Sequence, residues 1–110
     1  MPLVNVQEPA EGAGGLKAWF FAHHQDHIEI VQAIQKLGVP MTIYPLDPFT
    51  PSSPDTWLRM HQSAHNDFNQ VLGIDGADLT DVDFQNADKM TDFFYRNYQE
   101  HLDARAELGI

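Results

Sequence analysis

The sequence predicts an all-α protein, a three-helix bundle over about 16–37, 54–72 and 87–108, with a Pro-rich extended strap and a flexible N-terminal arm. Three observations carry this. Apolar residues recur at three-to-four spacing in three separate segments. Each segment closes on Leu-Gly-β-branched: Leu37-Gly38-Val39, Leu72-Gly73-Ile74 and Leu108-Gly109-Ile110, the pattern of a left-handed glycine stop with an apolar contact behind it. Each also carries two polar residues four apart in the middle of its apolar stripe: His23/His27, His61/His65 and Asn97/His101.

Residues 1–15 hold two prolines and three glycines without helical period, and read as an arm separate from the single domain 16–110. Val4 and Val6 are its candidate partner contacts. In the first helix Leu16, Trp19, Phe20, His23, His27, Ile30, Val31, Ile34 and Leu37 share one side. Phe21 and Ile28 fall on a second side, a pattern that suits a subunit contact.

In residues 40–54, Pro45, Pro48, Pro51 and Pro54 recur every third position, the period of polyproline II. At ~3.1 Å per residue the segment can run the length of a helix, returning the chain to the end where the first helix began. Tyr44 and Phe49 are its candidate partner-binding residues; an SH3-type ligand is the rival, but the flanking basic residue is missing.

The second helix has Ser53 as N-cap, Pro54 at N1 and Asp55 in its first turn. Its stripe is Trp57, Leu58, His61, Ala64, Phe68, Val71 and Leu72, with His65 near the edge. A connector rich in Asx-turn residues follows, anchored by Leu79, Val82 and Phe84. Asn86 caps the third helix, with stripe Met90, Phe93, Phe94, Asn97, His101, Ala104 and Leu108. The last two helices align at an offset of 36: Trp57 with Phe93, His61 with Asn97, His65 with His101.

Sixteen acidic residues against six scattered basic ones give a net charge of −10, which disfavours direct nucleic-acid binding. No cysteine is present, so disulfides and thiolate ligands are absent. No apolar run reaches the ~20 residues of a membrane span, and no signal-peptide pattern opens the chain. The expectation is a soluble, cytosolically made protein without membrane contact.

The inward polar pairs read in two ways. As a hydrogen-bonded core, the imidazoles and one amide satisfy one another, fix helix register and loosen when protonated at low pH, which also allows a pH-responsive switch. As a metal site, His23, His27, His61, His65 and His101 are the candidate ligands for zinc or another divalent transition metal. Bundles build such sites from inward residues on facing helices. Against it stand the missing inward carboxylate, which also argues against a di-iron centre, and Asn97, a poor ligand for a transition metal. Asp26, Asp67 and Glu100 sit at flanking angles suited to orienting the rings. The Asp75/Asp78/Asp81/Asp83 group lacks the calcium-loop spacing. No nucleophile set, phosphate-cradling loop or paired inward carboxylates are visible, so no enzyme activity is expected.

The stretches WLRMHQSAHNDFNQVLGI, DLTDVDF and FFYRNYQEHLDARAELGI, spanning about Trp57 to Ile110, resemble small structural or assembly proteins of tailed bacteriophages. His61, His65, Glu100 and His101 are where the pattern matches. The resemblance implies a non-enzymatic virion subunit (adaptor, decoration or neck-type) binding copies of itself or a larger virion protein. It would be found in the virion and, during assembly, in the host cytoplasm. It implies no cofactor; the alternative is the metal-binding bundle with an all-histidine inward site.

Overall fold

The computed structural model describes residues 13–47, 53–83 and 85–110. Val4, Val6, Phe49 and Phe84 lie outside them. The described residues form three helices, α1 (Ala13–Gln35), α2 (Pro54–Leu72) and α3 (Ala87–Leu108), and no strand.

Local chemistry sets the ends. Ser53 Oγ accepts from the Thr56 amide at 3.2 Å ahead of Pro54, and Asn86 Oδ1 accepts from the Lys89 amide at 3.1 Å. The three closing glycines take φ of 89°, 71° and 70° at Gly38, Gly73 and Gly109, a conformation that a Cβ disfavours. Ile74 and Ile110 donate back to Asn69 and Arg105 carbonyls at 2.9 and 3.0 Å, completing the stop that the sequence predicts.

Two apolar clusters cap the bundle. One gathers the beginnings of all three helices: Trp19 from α1, Trp57 and Leu58 from α2, Phe93 and Phe94 from α3. The other gathers their ends: Ile30 and Ile34, Phe68, and Ala104. All three helices therefore run in the same direction, and each connection must travel the length of the bundle. The first does so as a strap. Val39 and Met41 pack on the far cluster, whereas Leu46 is fully buried in the near one. Gln35 Nε2 holds the Met41 carbonyl at 2.9 Å, and Trp57 Nε1 holds that of Leu46 at 3.2 Å. The second connection is pinned by Leu79, buried, whose amide donates to Gln62 Oε1 at 2.6 Å, and is shaped by the Asx turn of Asp78 with Thr80.

Three stripe positions differ from the sequence reading. α1 stops at Gln35, so Leu37 falls in the closing turn and is 68% exposed. Leu16 stands one turn before Trp19, outside the aromatic cluster, and Val71 borders a surface groove with Pro40, Met41 and Asp67; both are exposed. At the other edge, His65 is fully buried rather than marginal.

Candidate metal centre

Because the helices are parallel and begin together, positions 38 apart on α1 and α2, and 36 apart on α2 and α3, stand at one level. The indoles of Trp19 and Trp57 lie 6.2 Å apart. One turn along, the rings of His23 and His61 are 4.9 Å apart, and a further turn along so are those of His27 and His65. The five predicted histidines meet between the two apolar clusters, each 0–2% exposed, with one nitrogen of each ring within 4.8 Å of all the others. The sixth, His24, stays at the partly exposed side of α1.

The hydrogen-bond pattern divides the five. His65 Nδ1 donates to Glu100 Oε1 at 3.0 Å, and His101 Nδ1 donates to Asp26 Oδ2 at 2.6 Å. A carboxylate behind each ring fixes the tautomer with the hydrogen on Nδ1, so Nε2 faces inward as a bare lone pair. Those two Nε2 atoms are buried and have no hydrogen-bond partner among the described residues. His23 and His61 are oriented by stacking instead, His23 on Trp19 (4.5 Å, 12° between planes) and His61 on Trp57 (4.6 Å, 15°).

At the centre, His23 Nε2 lies 3.1 Å from the Nε2 atoms of both His27 and His61, and 3.1 Å from Asn97 Oδ1. His61 Nε2 approaches the same Oδ1 at 2.8 Å. A ring nitrogen offers either one hydrogen or one in-plane lone pair, and an amide oxygen only accepts. Paired one to one, at most two of these four approaches are hydrogen bonds. The self-satisfied network that the sequence allows is thus incomplete: every one of the five imidazoles keeps a buried nitrogen without a partner among the described residues. A cation at the centre would turn the converging lone pairs into ligands.

Electrostatics point the same way. Burial, reinforced by the neighbouring imidazoles, holds the pKa of His23, His27 and His65 well below the usual range. His61 is lowered to about 3, first by burial and then by His101, with Asn97 opposing. Neutral imidazole is the ligating form. Around the layer stand Asp26, Glu29, Glu100 and Arg105, whose Nη1 reaches Asp26 at 2.6 Å and Glu29 at 3.1 Å. Three carboxylates against one guanidinium leave two negative charges, the complement of a divalent cation.

Of the flanking acids, Asp26 and Glu100 take the orienting role, whereas Asp67 accepts from the Tyr44 hydroxyl at 3.1 Å, away from the layer. Of the expected partner contacts among the described residues, Phe21 is 46% exposed, while Ile28 and Tyr44 are half-buried. Three members of the site do not stand out in the sequence: Glu29, Asn69 and Arg105. Arg105 was one of six scattered cations, yet it is buried on Asp26; its position one turn beyond His101 is the available signal. Asn69, one turn beyond His65, is buried too and donates to Glu100 Oε1 at 2.7 Å.

Glu100 is the best-held group: Oε1 accepts from His65 and Asn69, and Oε2 from the Ala77 amide at 2.9 Å. Gly76 packs so closely on Asn69 and Glu100 that a side chain there would displace the Asn69 amide. Glu100→Gln turns a donor toward one of three donors. The expected cost is about 1–3 kcal/mol of stability in denaturant melts and, for a cation held at the centre, a roughly 10–100-fold loss of affinity. Unchanged values in both would remove Glu100 from the site.

Comparison with protein-family models, with curated proteins and with solved structures finds no match to this chain, and none links it to tailed-phage proteins, so function rests on the geometry of the histidine layer itself.

Proposed function

We propose that this protein is a metal-binding helical bundle that holds one divalent first-row transition ion on His23, His27, His61, His65 and His101. The single observation that carries the reading is the convergence of five buried imidazole nitrogens within 4.8 Å, two of them bare lone pairs fixed by carboxylates behind the rings. Donors ~2.1 Å from one ion stand at most about 4.2 Å apart, so contraction by a fraction of an ångström seats an ion. A pair of ions ~3.5–4 Å apart needs a wider cage. Imidazole donors suit zinc, copper, iron and nickel.

Every ligand is enclosed between apolar clusters. Sites that do hydrolytic or Lewis-acid chemistry keep a position open to substrate, whereas structural sites are closed. The role supported here is therefore structural: the ion fastens three parallel helices at their shared level and neutralises the carboxylates behind the rings.

The test is elemental mass spectrometry on untagged protein purified without chelator and then supplied with nickel, cobalt, iron and zinc in turn. One equivalent of bound metal is expected, falling at least tenfold in His61→Ala. Folded wild-type protein that retains none of these metals would sink the proposal.

A further inference from the structure

The metal reading leaves open how many donors the ion takes, and the distances within the layer bear on it. We infer, resting on that reading, that Asn97 Oδ1 is a sixth ligand and that the centre is six-coordinate, taking nickel, cobalt or ferrous ions in preference to zinc.

Donor–donor edges distinguish the possible coordination figures. Around an ion at ~2.1 Å, neighbouring donors of an octahedron are about 3.0 Å apart and opposite donors about 4.2 Å, whereas all donors of a tetrahedron stand about 3.4 Å apart. The central approaches measure 3.1, 3.1, 3.1 and 2.8 Å, and the histidine set spans as much as 4.8 Å. Short edges combined with long diagonals belong to the six-vertex figure. Asn97 Oδ1 has the same spacing to His61 and His23 as those nitrogens have to each other, so it occupies a vertex rather than a place behind one. It sits on the stripe of α3 one turn before His101, just where α2 offers His61 one turn before His65.

A neutral amide oxygen is a weak ligand when it must be recruited from water. Asn97 is fully buried, and its Nδ2 has no hydrogen-bond partner among the described residues, so no competing acceptor there draws the carbonyl away. Zinc in structural sites settles at four ligands, which here would strand two buried donors at the cost of unpaired polar groups. Ions content with six mixed nitrogen and oxygen donors strand none.

Cobalt(II) titration of the full chain, followed by visible absorption, reads coordination number directly. Stoichiometric binding with the weak bands of a six-coordinate ion is expected; the intense bands of four-coordinate cobalt would overturn the inference while leaving the metal site standing. Failure of cobalt, nickel and zinc alike to bind would remove both. In equimolar competition nickel should be retained over zinc by at least about tenfold, and a zinc excess in the bound fraction overturns the preference. Asn97→Leu should weaken cobalt binding at least tenfold and intensify its bands as one ligand is lost. If that variant does not fold, Asn97→Asp keeps an oxygen at the vertex and should bind cobalt more tightly than wild type with bands still weak; equal or weaker binding counts against Asn97 as a ligand.

Discussion

For the metal-binding bundle proposed here, removing the ion and restoring it is expected to move the melting temperature by roughly 15–30 °C. An ion that binds only the folded chain, at a free concentration a thousand times its dissociation constant, adds about 4 kcal/mol of stability. In a domain of this size each kilocalorie shifts Tm by about 4–8 °C. The effect should be large because the stripped state carries two costs at once. Nε2 of His65 and of His101 is left unpaired, and among the described residues the carboxylates of Asp26, Glu29 and Glu100 face one cation, Arg105. Calorimetry with chelator, then with one equivalent of nickel or zinc, provides the measurement. Superimposed melting curves would mean that the layer is held by its own packing.

Mild acid should unfold the metal-free protein. Four histidines have depressed pKa values in the folded state: His61 at about 3, and His23, His27 and His65 well below the usual range, in each case chiefly through burial. In the unfolded chain each titrates near 6.5. Between about pH 6.5 and 3 the unfolded state binds more protons, so stability rises with pH. It is fully present above about 6.5 and is lost as pH falls. At pH 5.5 each histidine has forfeited about 1.4 kcal/mol and the four together about 6 kcal/mol, against a typical total of 5–15 kcal/mol. A cooperative loss of helicity between about pH 5 and 6 is expected by circular dichroism. Bound metal should displace that midpoint downward by about half to one pH unit, since protons and metal compete for the same nitrogens. A metal-free protein that keeps its structure at pH 4 would contradict the burial of these rings.

The three helices, their caps and the five inward histidines were all legible because they rest on local rules: a period of 3.6, a side-chain oxygen before a helix, and a glycine after it. Ser53, Asn86, Gly73 and Gly109 behave as their chemistry dictates. The parallel course of the helices was readable only in part. The spacing of prolines made 40–54 long enough to return, and Leu79 reads as an anchor of the second connector, but nothing local shows that this connector also runs the length of the bundle. What stood least open to view was the ring of charges behind the histidines. Asp26 and Glu100 read as flanking acids, but Asn69 and Arg105 lie off the stripe centres and look like surface residues until the helices are brought together. Their burial is a property of the assembled bundle, with Arg105 meeting a carboxylate 79 positions away. Leu16 and Leu37 failed for the opposite reason: helical periodicity continues on paper past the point where neighbours stop covering it.

The parallel arrangement has a consequence for how the chain finds its fold. In an up-and-down bundle consecutive helices pair across tight turns. Here the layer joins residues 38 and 74 positions apart, and an ion held by both His23 and His101 would close a loop of 78 residues. Contacts of such long sequence separation place the chain among slow folders even though helices are the only regular elements among its described residues. Loop-closure entropy grows with the logarithm of loop length, so a coordination bond across that span constrains the unfolded ensemble much as a long-range crosslink would. In a chain without cysteine, the histidine layer is where such a crosslink can form.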